Sequence, residues 1–273
     1  METLAVSIII PTFNPNKYLY ECINSLENQT FNKENFEIII VLNGPKNPYY
    51  EIILNYLEVS SFVNKKLIYT NTIGVSNARN IGIINSKGKN ICFIDDDDLV
   101  SLNYIEGLYK QCDDNAMVIS NLKCFNNNIN SLHDDYITIA FKKFKDKKKL
   151  TILEMRKFLS SSCGKLVPKG MINNARFNTK LTVMEDACFM FKISKDIKQT
   201  YLADETVIYY RRIRNASVSR KQKSVLKIIQ ETILFIKCLI ANLLNNQFFR
   251  YNYILLFMQI SASIKYMLKK IIR

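Results

Sequence analysis

Gly88-Lys89-Asn90-Ile91-Cys92-Phe93-Ile94-Asp95-Asp96-Asp97-Asp98 is the stretch on which the fold turns. Asn90 to Ile94 is a short, mostly apolar run, the pattern of a strand covered on both faces. Four carboxylates follow without a break. Adjacent carboxylates repel one another and cost stability unless a cation or full exposure relieves them. Taken alone, the cluster is either an acidic surface turn or a set of hard oxygen ligands for a divalent cation. Alternate residues of an extended segment point the same way, so Asp95 and Asp97 would act together.

Upstream, Ala5 to Ile10 is a β-branched apolar run closed by Pro11, a strand buried on both faces. Leu19, Cys22, Ile23 and Leu26 fall at helical spacing within Asn16 to Gln29. A second strand, Phe36 to Leu42, ends at the turn Asn43-Gly44-Pro45. A helix over Tyr49 to Leu57, a strand over Lys66 to Thr70 and a helix over Ser76 to Asn85 complete the first hundred residues. Strands alternating with helices predict a parallel sheet with right-handed crossovers. Ligands of such sheets gather at the carboxyl ends of the strands. Pro11 to Asn14, Asn43-Gly44 and Asp95 to Asp98 all fall there, which makes this the nucleotide-binding half.

The 273 residues are 48% apolar, enough for a substantial core, and carry 38 Lys and Arg against 24 Asp and Glu, a net charge of +14. That balance points to phosphorylated substrates, an acidic membrane face or nucleic acid, or is spread over a solvated surface. Seven scattered cysteines without a C-x-x-C pair, and one histidine, argue against zinc and fit a reduced, cytoplasmic setting without an export signal. Lys142 to Lys149 is a lysine run around Asp146. From Ser224 onward Val225, Ile229, Ile233, Ile236 and Ile240 line one helical face, and Tyr251 to Ile264 carries no charge. The latter is shorter than the roughly 20 residues a spanning helix needs. With Lys265, Lys269, Lys270 and Arg273, the tail reads as an amphipathic helix on an anionic membrane surface, or as one packed on the main domain or a second subunit.

Four pieces carry a resemblance: VSIIIPTFN (6–14), FEIIIVLNG (36–44), GVSNARNIGI (74–83) and GKNICFIDDDD (88–98). In this order and spacing they resemble a family 2 glycosyltransferase of the bacterial polysaccharide and lipopolysaccharide type, from about residue 5 to 220. The resemblance implies an α/β nucleotide-diphospho-sugar transferase (GT-A) fold, with a mostly parallel, Rossmann-like sheet flanked by helices and a C-terminal helical tail. Residues 1–100 would be the donor-binding half, 101–220 the acceptor-binding half and 221–273 the tail. It also implies a nucleotide-sugar donor, UDP-linked by first choice, a glycan or lipid-linked acceptor of cell-surface polysaccharide, and Mn²⁺ or Mg²⁺.

By the same resemblance, Pro11, Thr12 and Asn14 form the turn near base and ribose, and Arg79 lies by the nucleotide; a salt bridge closing its helix onto the sheet is the alternative. Asp95 and Asp96 would face the donor, Asp95 on the ribose side, and Asp97 would bind the metal between the phosphates. The family usually carries an acidic residue before the turn glycine; here Leu42-Asn43 stands instead, and Asn43 would read the base with an amide. Glu185-Asp186 opens the apolar helix Ala187 to Ile193, where the helix dipole alone would favour acids. The resembling family draws its catalytic base from this pair, which makes Asp186 the general base, with Glu185 beside it, in a displacement that inverts the anomeric carbon. Arg211, Arg214 and Ser217, in the segment Tyr209 to Ser219, would grip the donor phosphates, or form a basic surface loop. Lys165 is a further candidate near the acceptor, and His133 a solvated loop residue.

Other classes fit less well. A phosphatase-like D-x-D ends the first strand and continues into Thr, whereas here the motif ends the fourth strand and reads Asp97-Asp98-Leu99. A sugar nucleotidyltransferase wants a Gly-rich basic loop that Pro11 to Asn16 lacks. No nucleic-acid-binding signature is present, and an inactive nucleotide-binding or scaffold protein would leave Asp186 and the acidic cluster unexplained.

Overall fold

A computed structural model describes residues 4–126, 128–214, 223–244 and 253–272. Seven elements build the first half: β1 (Val6–Thr12), α1 (Lys17–Glu27), β2 (Phe36–Asn43), α2 (Tyr49–Val59), β3 (Asn64–Thr70), α3 (Val75–Asn85) and β4 (Asn90–Phe93). Then follow β5 (Leu99–Val100), α4 (Tyr104–Tyr109), β6 (Ala116–Ile119), β7 (Asn121–Phe125), α5 (Tyr136–Phe144), α6 (Ile152–Met155), β8 (Lys165–Pro168), α7 (Lys169–Ile172), α8 (Glu185–Ser194), β9 (Gln199–Leu202) and β10 (Ile208–Arg212). Two long helices, α9 (Val225–Leu244) and α10 (Tyr253–Ile271), end the chain.

A seven-stranded sheet runs β3-β2-β1-β4-β8-β6-β9. β1 to β4 are mutually parallel, while β8 lies antiparallel to both β4 and β6. The chain leaves β1 toward β2 on one side and returns to β4 on the other, so the strand order reverses between β1 and β4. A crevice opens at the carboxyl ends of strands at such a point. The β-branched runs of β1 and β2 are buried along their whole length, as continuous apolar strands between two helical layers must be.

One buried charge sits inside this core. Glu37 of β2 accepts from Ser7 Oγ at 2.6 Å and from the Lys87 amide at 2.5 Å, while Ser7 Oγ accepts from the Gly88 amide at 2.8 Å. The turn into β4 is thereby bonded to both central strands.

A second, three-stranded sheet, β5-β10-β7, lies across the acidic end of β4. The sequence shows no signal for it: β5 is two residues long, and the basic segment at Tyr209 to Arg212 reads as a loop. It is a strand because β10 pairs with β7 in parallel and with β5 antiparallel.

The tail packs on the main domain, one of its two sequence readings, but through a different face from the stripe named above. α9 buries Ile228, Thr232, Phe235, Leu239 and Leu243, packing on α8 and α10, and Val225, Ile233 and Ile240 are 48%, 47% and 41% exposed. Both stripes keep helical spacing, so periodicity could not choose between them; Phe235 and Leu239 fill the gap against α8. No helix among the described residues is long and apolar enough to cross a membrane.

A Cβ on Gly88 would stand 2.5 Å from the Ser7 amide nitrogen and 2.6 Å from the Val6 carbonyl carbon. Backbone cannot yield as a side-chain tip can, so Gly88→Ala is expected to lose about 1–3 kcal/mol in urea unfolding and several degrees in Tm. Unchanged stability would show that this turn is not held against β1.

Candidate active site

The crevice between β1 and β4 is lined by side chains bonded across it. Thr12, at the end of β1, donates from Oγ1 to Asp96 Oδ2 at 2.5 Å. Pro11 is buried beside it, and Asn14 takes the left-handed backbone at φ 48°, which Asn tolerates better than most residues. Asn43, at the end of β2, is buried; its Nδ2 donates to the Thr12 carbonyl at 2.7 Å and its Oδ1 accepts from the Gly74 amide at 2.9 Å. Its amide therefore joins the turns after β1, β2 and β3, leaving one N–H and one lone pair for any further partner. Asn43 thus frames these turns. Gly44 follows at φ 112°, and a Cβ there would meet the Phe13 ring at 2.6 Å.

The four aspartates divide their surroundings. Asp98 is buried and accepts from the Tyr209 hydroxyl at 2.6 Å and the Arg212 amide at 2.7 Å. That hydroxyl in turn accepts from the Asp95 amide at 3.2 Å. Asp98 thus pins β10 over the end of β4, a role the sequence left unassigned. Arg212 donates from Nε to the Asp97 carbonyl at 2.8 Å, pairs with Glu21 at 2.5 Å, and lies over the rings of Tyr18 and Phe125 at 4.2 and 4.5 Å. Arg214 pairs with the Asp97 carboxylate. Arg211 instead pairs with Asp135 at 3.0 Å, and Ser217 lies outside the described residues.

Burial dominates the proton affinity of this cluster. It pushes Asp96 up to about 7, with its acidic neighbours adding to the shift and Thr12 opposing it. Asp97 and Asp98 are raised for the same first reason, then by neighbouring carboxylates, with Arg214 opposing at Asp97. A cluster so reluctant to ionise fully is one that a cation would relieve.

The second acidic group comes from α8. Met184, at φ 60°, turns the chain so that Glu185 and Asp186 open the helix, where its dipole favours negative charge. Asp186 accepts from the Ser162 amide on Oδ2 at 3.1 Å and from Ser162 Oγ on Oδ1 at 3.0 Å. Burial, followed by repulsion from Asp186, pushes Glu185 up to about 7, with Arg79 opposing.

Arg79 of α3 joins the two groups. Its side chain is 3% exposed; one terminal nitrogen reaches Asp95 at 2.8 Å, and the other reaches Asp186 at 2.6 Å and Glu185 at 3.6 Å. Its guanidinium lies over the Phe177 ring at 5.3 Å. Residues 79, 95 and 186 are thus one ionic unit, the salt-bridge alternative of the sequence reading, placed inside the crevice rather than behind it. Ser162, Tyr209, Asp98 and Phe177 are the members missed by sequence reasoning. A Ser in a run of three and a Tyr in a basic stretch carry no pattern that singles them out.

The donor set fits a divalent cation held jointly with a ligand. Asp97, with the partly exposed Asp95, offers hard oxygens, and among the described residues no three acidic, Cys or His side chains form a complete shell. Mg²⁺ and Mn²⁺ bound beside phosphates commonly take only one or two carboxylates from the protein. The exposed His133 forms an isolated bridge with Cys124 and stands apart from these carboxylates.

Lys165 of β8 is wholly buried and donates from Nζ to the Cys163 carbonyl at 3.0 Å. Burial pulls its amine down to about 8, against the opposing pull of Cys163 and Asp186. The unfolded amine titrates near 10.4, so between about 8 and 10.4 the unfolded chain binds more protons and stability rises with pH. Below 8 the full penalty remains. Lys165→Met is expected to gain roughly 1–3 kcal/mol at pH 7 and to lose that rise, read by urea unfolding at pH 7 and pH 10 under reducing conditions. A variant no more stable at pH 7 would show that the buried ammonium is compensated.

Known proteins resemble the chain in sequence and in fold. The Glycosyl transferase family 2 model matches residues 7–198. The chain is 28% identical over 230 residues to the putative glycosyltransferase EpsH of Bacillus subtilis, covering 82% of this chain and 66% of that protein. It is 31% identical over 223 residues to an uncharacterized glycosyltransferase of Haemophilus influenzae, covering 80% and 83%. Its match to glycosyltransferase GlyA of Streptococcus pneumoniae, 29% identical, takes in 79% of this chain and 31% of that protein, so the chain spans only part of several relatives. The crystal structure of Staphylococcus aureus TarS 1–349 in complex with UDP-GlcNAc shares the fold, with a TM-score of 0.70 at 21% identity over 89% of this chain and 67% of that one. The architecture is the GT-A fold, and the chain belongs to glycosyl transferase family 2.

Proposed function

We propose that this domain is an inverting glycosyltransferase that moves a sugar from a nucleotide-sugar, with UDP as the nucleotide, to a glycan or lipid-linked acceptor of a cell-surface polysaccharide. The observation that carries the reading is the bridge from Asp95 through the buried Arg79 to Asp186. It holds the end of β4 and the start of α8 against one crevice at the β1–β4 switch point, where ligands of such sheets gather, and TarS 1–349, which shares the fold, forms a complex with UDP-GlcNAc.

In this reading the donor base and ribose lie by Thr12, Asn14 and the turn framed by Asn43, and its phosphates lie toward Asp97 and Arg214. A divalent ion bound there by Asp97 would neutralise charge on the leaving diphosphate. Asp186 takes the proton from the acceptor hydroxyl as that oxygen attacks the anomeric carbon. Its Oδ1 is engaged by Arg79 and Ser162 Oγ, whereas Oδ2 has a single amide partner. Oδ2 is therefore the oxygen that receives the proton. Fixed dipoles and charges in a partly dry crevice stabilise the transition state without reorganising. One displacement, with no covalent glycosyl-enzyme, inverts the configuration.

Glu185, held near 7, is matched to proton transfer at neutral pH and gives a second reading in which it is the base. Residues 1–100 would hold the donor and 101–220 the acceptor. The tail, with the apolar stripe of α9 outward and lysines at the end of α10, would rest on an anionic membrane surface.

Donor binding and turnover separate these roles. Asp97→Ala is expected to abolish manganese-dependent binding of UDP-GlcNAc in a calorimetric titration. Asp186→Asn is expected to bind it nearly as well as the parent while release of UDP in the presence of acceptor falls about 10²–10⁴-fold. Full activity of Asp186→Asn, with collapse of Glu185→Gln instead, would transfer the base to Glu185.

A further inference from the structure

Among the described residues, Arg79, Arg212 and Arg214 meet the acidic cluster after β4, and they are held very differently. Arg79, on Asp95, has 3% of its side chain exposed and is fixed on its other side by Asp186. Arg212 has 4% exposed; its Nε is spent on the Asp97 carbonyl, a terminal nitrogen on Glu21, and its plane lies over two rings. Arg214 pairs with the Asp97 carboxylate and is 39% exposed. Its guanidinium lies 6.0 Å from the Tyr18 ring, against 4.2 Å for Arg212, so the ring that clamps the one only borders the other. Of the three, Arg214 is the one with room to leave its carboxylate.

That carboxylate is the one proposed above for the divalent cation. The Asp97 side chain is 14% exposed, so water screens little of the charge brought there. A guanidinium and a divalent cation on one carboxylate repel each other, and arginine cannot shed its proton to make room. A lysine could be neutralised in place; a guanidinium has to move. Leaving is unfavourable unless it finds a new anion, since the pair compensates a largely buried carboxylate. A diphosphate beside Asp97 supplies that anion, and its oxygens match the planar fork of arginine. Asp97 then stays compensated throughout, by the guanidinium before the donor arrives and by the cation afterwards.

We propose that Arg214 is a placeholder for the divalent cation: it occupies Asp97 until the donor diphosphate draws it away, and so ties cation binding to donor binding. The proposal rests on the glycosyltransferase reading above and names how its cation site is regulated. The cation binds weakly to the donor-free enzyme, because it has to displace a bound guanidinium. Cation and nucleotide strengthen each other's binding by the same factor, as linkage requires.

The test is a titration of Mn²⁺, followed by loss of the free ion's electron paramagnetic resonance signal, first alone and then with saturating UDP. It is run on the parent, Arg214→Gln and Arg214→Lys. Without UDP, Arg214→Gln is expected to bind Mn²⁺ at least about tenfold more tightly than the parent, a factor usual for coupled sites. Arg214→Lys keeps a positive charge for Asp97 and is expected to stay close to the parent. Asp97→Ala/Arg214→Gln is expected to lose the gain, which locates it at Asp97. In saturating Mn²⁺ the sign reverses: Arg214→Gln is expected to bind UDP at least about tenfold more weakly in calorimetry, for want of its phosphate partner. A residue that only supports the fold would weaken both, and melting temperatures of all the proteins check for that. Parent-like or weaker Mn²⁺ binding by UDP-free Arg214→Gln, unchanged UDP binding, or a gain that survives the loss of Asp97 overturns the placeholder. Absence of UDP binding by the parent at any Mn²⁺ concentration would instead remove the glycosyltransferase reading, while the Mn²⁺ comparison without UDP still decides what Arg214 does.

Discussion

A guanidinium with 3% of its side chain exposed, shared between Asp95 and Asp186, is the interaction around which this molecule is arranged. Burying a guanidinium is unfavourable unless carboxylates satisfy it at close range, and removing one of them leaves it under-compensated. Arg79 meets that condition only if the end of β4 and the start of α8 stand on either side of α3. The two acidic groups are 91 positions apart in the chain, yet neither can move without uncovering the other's charge. Phe177, lying against the same guanidinium, adds the loop before α8 to the constraint.

The surrounding polar contacts have the same character. Asn43 ties three turns together through backbone groups, and Tyr209 links the Asp95 amide to the Asp98 carboxylate. Arg212 reaches back to Glu21 and lies between two aromatic rings. These bonds are between groups that would otherwise be buried unsatisfied, so they hold the crevice in shape before any ligand arrives. What remains uncompensated is the proton affinity of Asp96, Asp97 and Glu185, raised chiefly by burial. Perturbed carboxyls concentrated in one crevice mark a place kept ready for charge.

The parts legible in the sequence were those whose signal is local. β1, β2 and β4 are mostly apolar runs and fall where the pattern placed them, and the acidic cluster follows close on the last of them. β10 was not legible, because a strand made of Tyr and Arg owes its form to pairing with β7 and to Asp98, both far away in sequence. Ser162 carries no pattern at all; it matters only because the fold sets it against Asp186. In the tail the reading named the stripe Val225, Ile229, Ile233, Ile236 and Ile240, and only packing against α8 decides that the stripe through Phe235 and Leu239 is the covered one. Asn43 could be located but not interpreted, since its partners, Thr12 and Gly74, are backbone groups on other turns.

Replacing Arg79 by Lys tests the central claim most directly, because a single ammonium cannot reach both carboxylates with a planar fork. The measurement is the steady-state release of UDP from UDP-GlcNAc in the presence of acceptor and manganese, with the melting temperature as a check on folding. If the bridge sets the distance between donor and base, kcat/KM falls at least about a hundredfold in a variant that still folds, since misplacement on the order of 1 Å costs that much. Parent-like turnover by a folded Arg79→Lys enzyme would contradict the account.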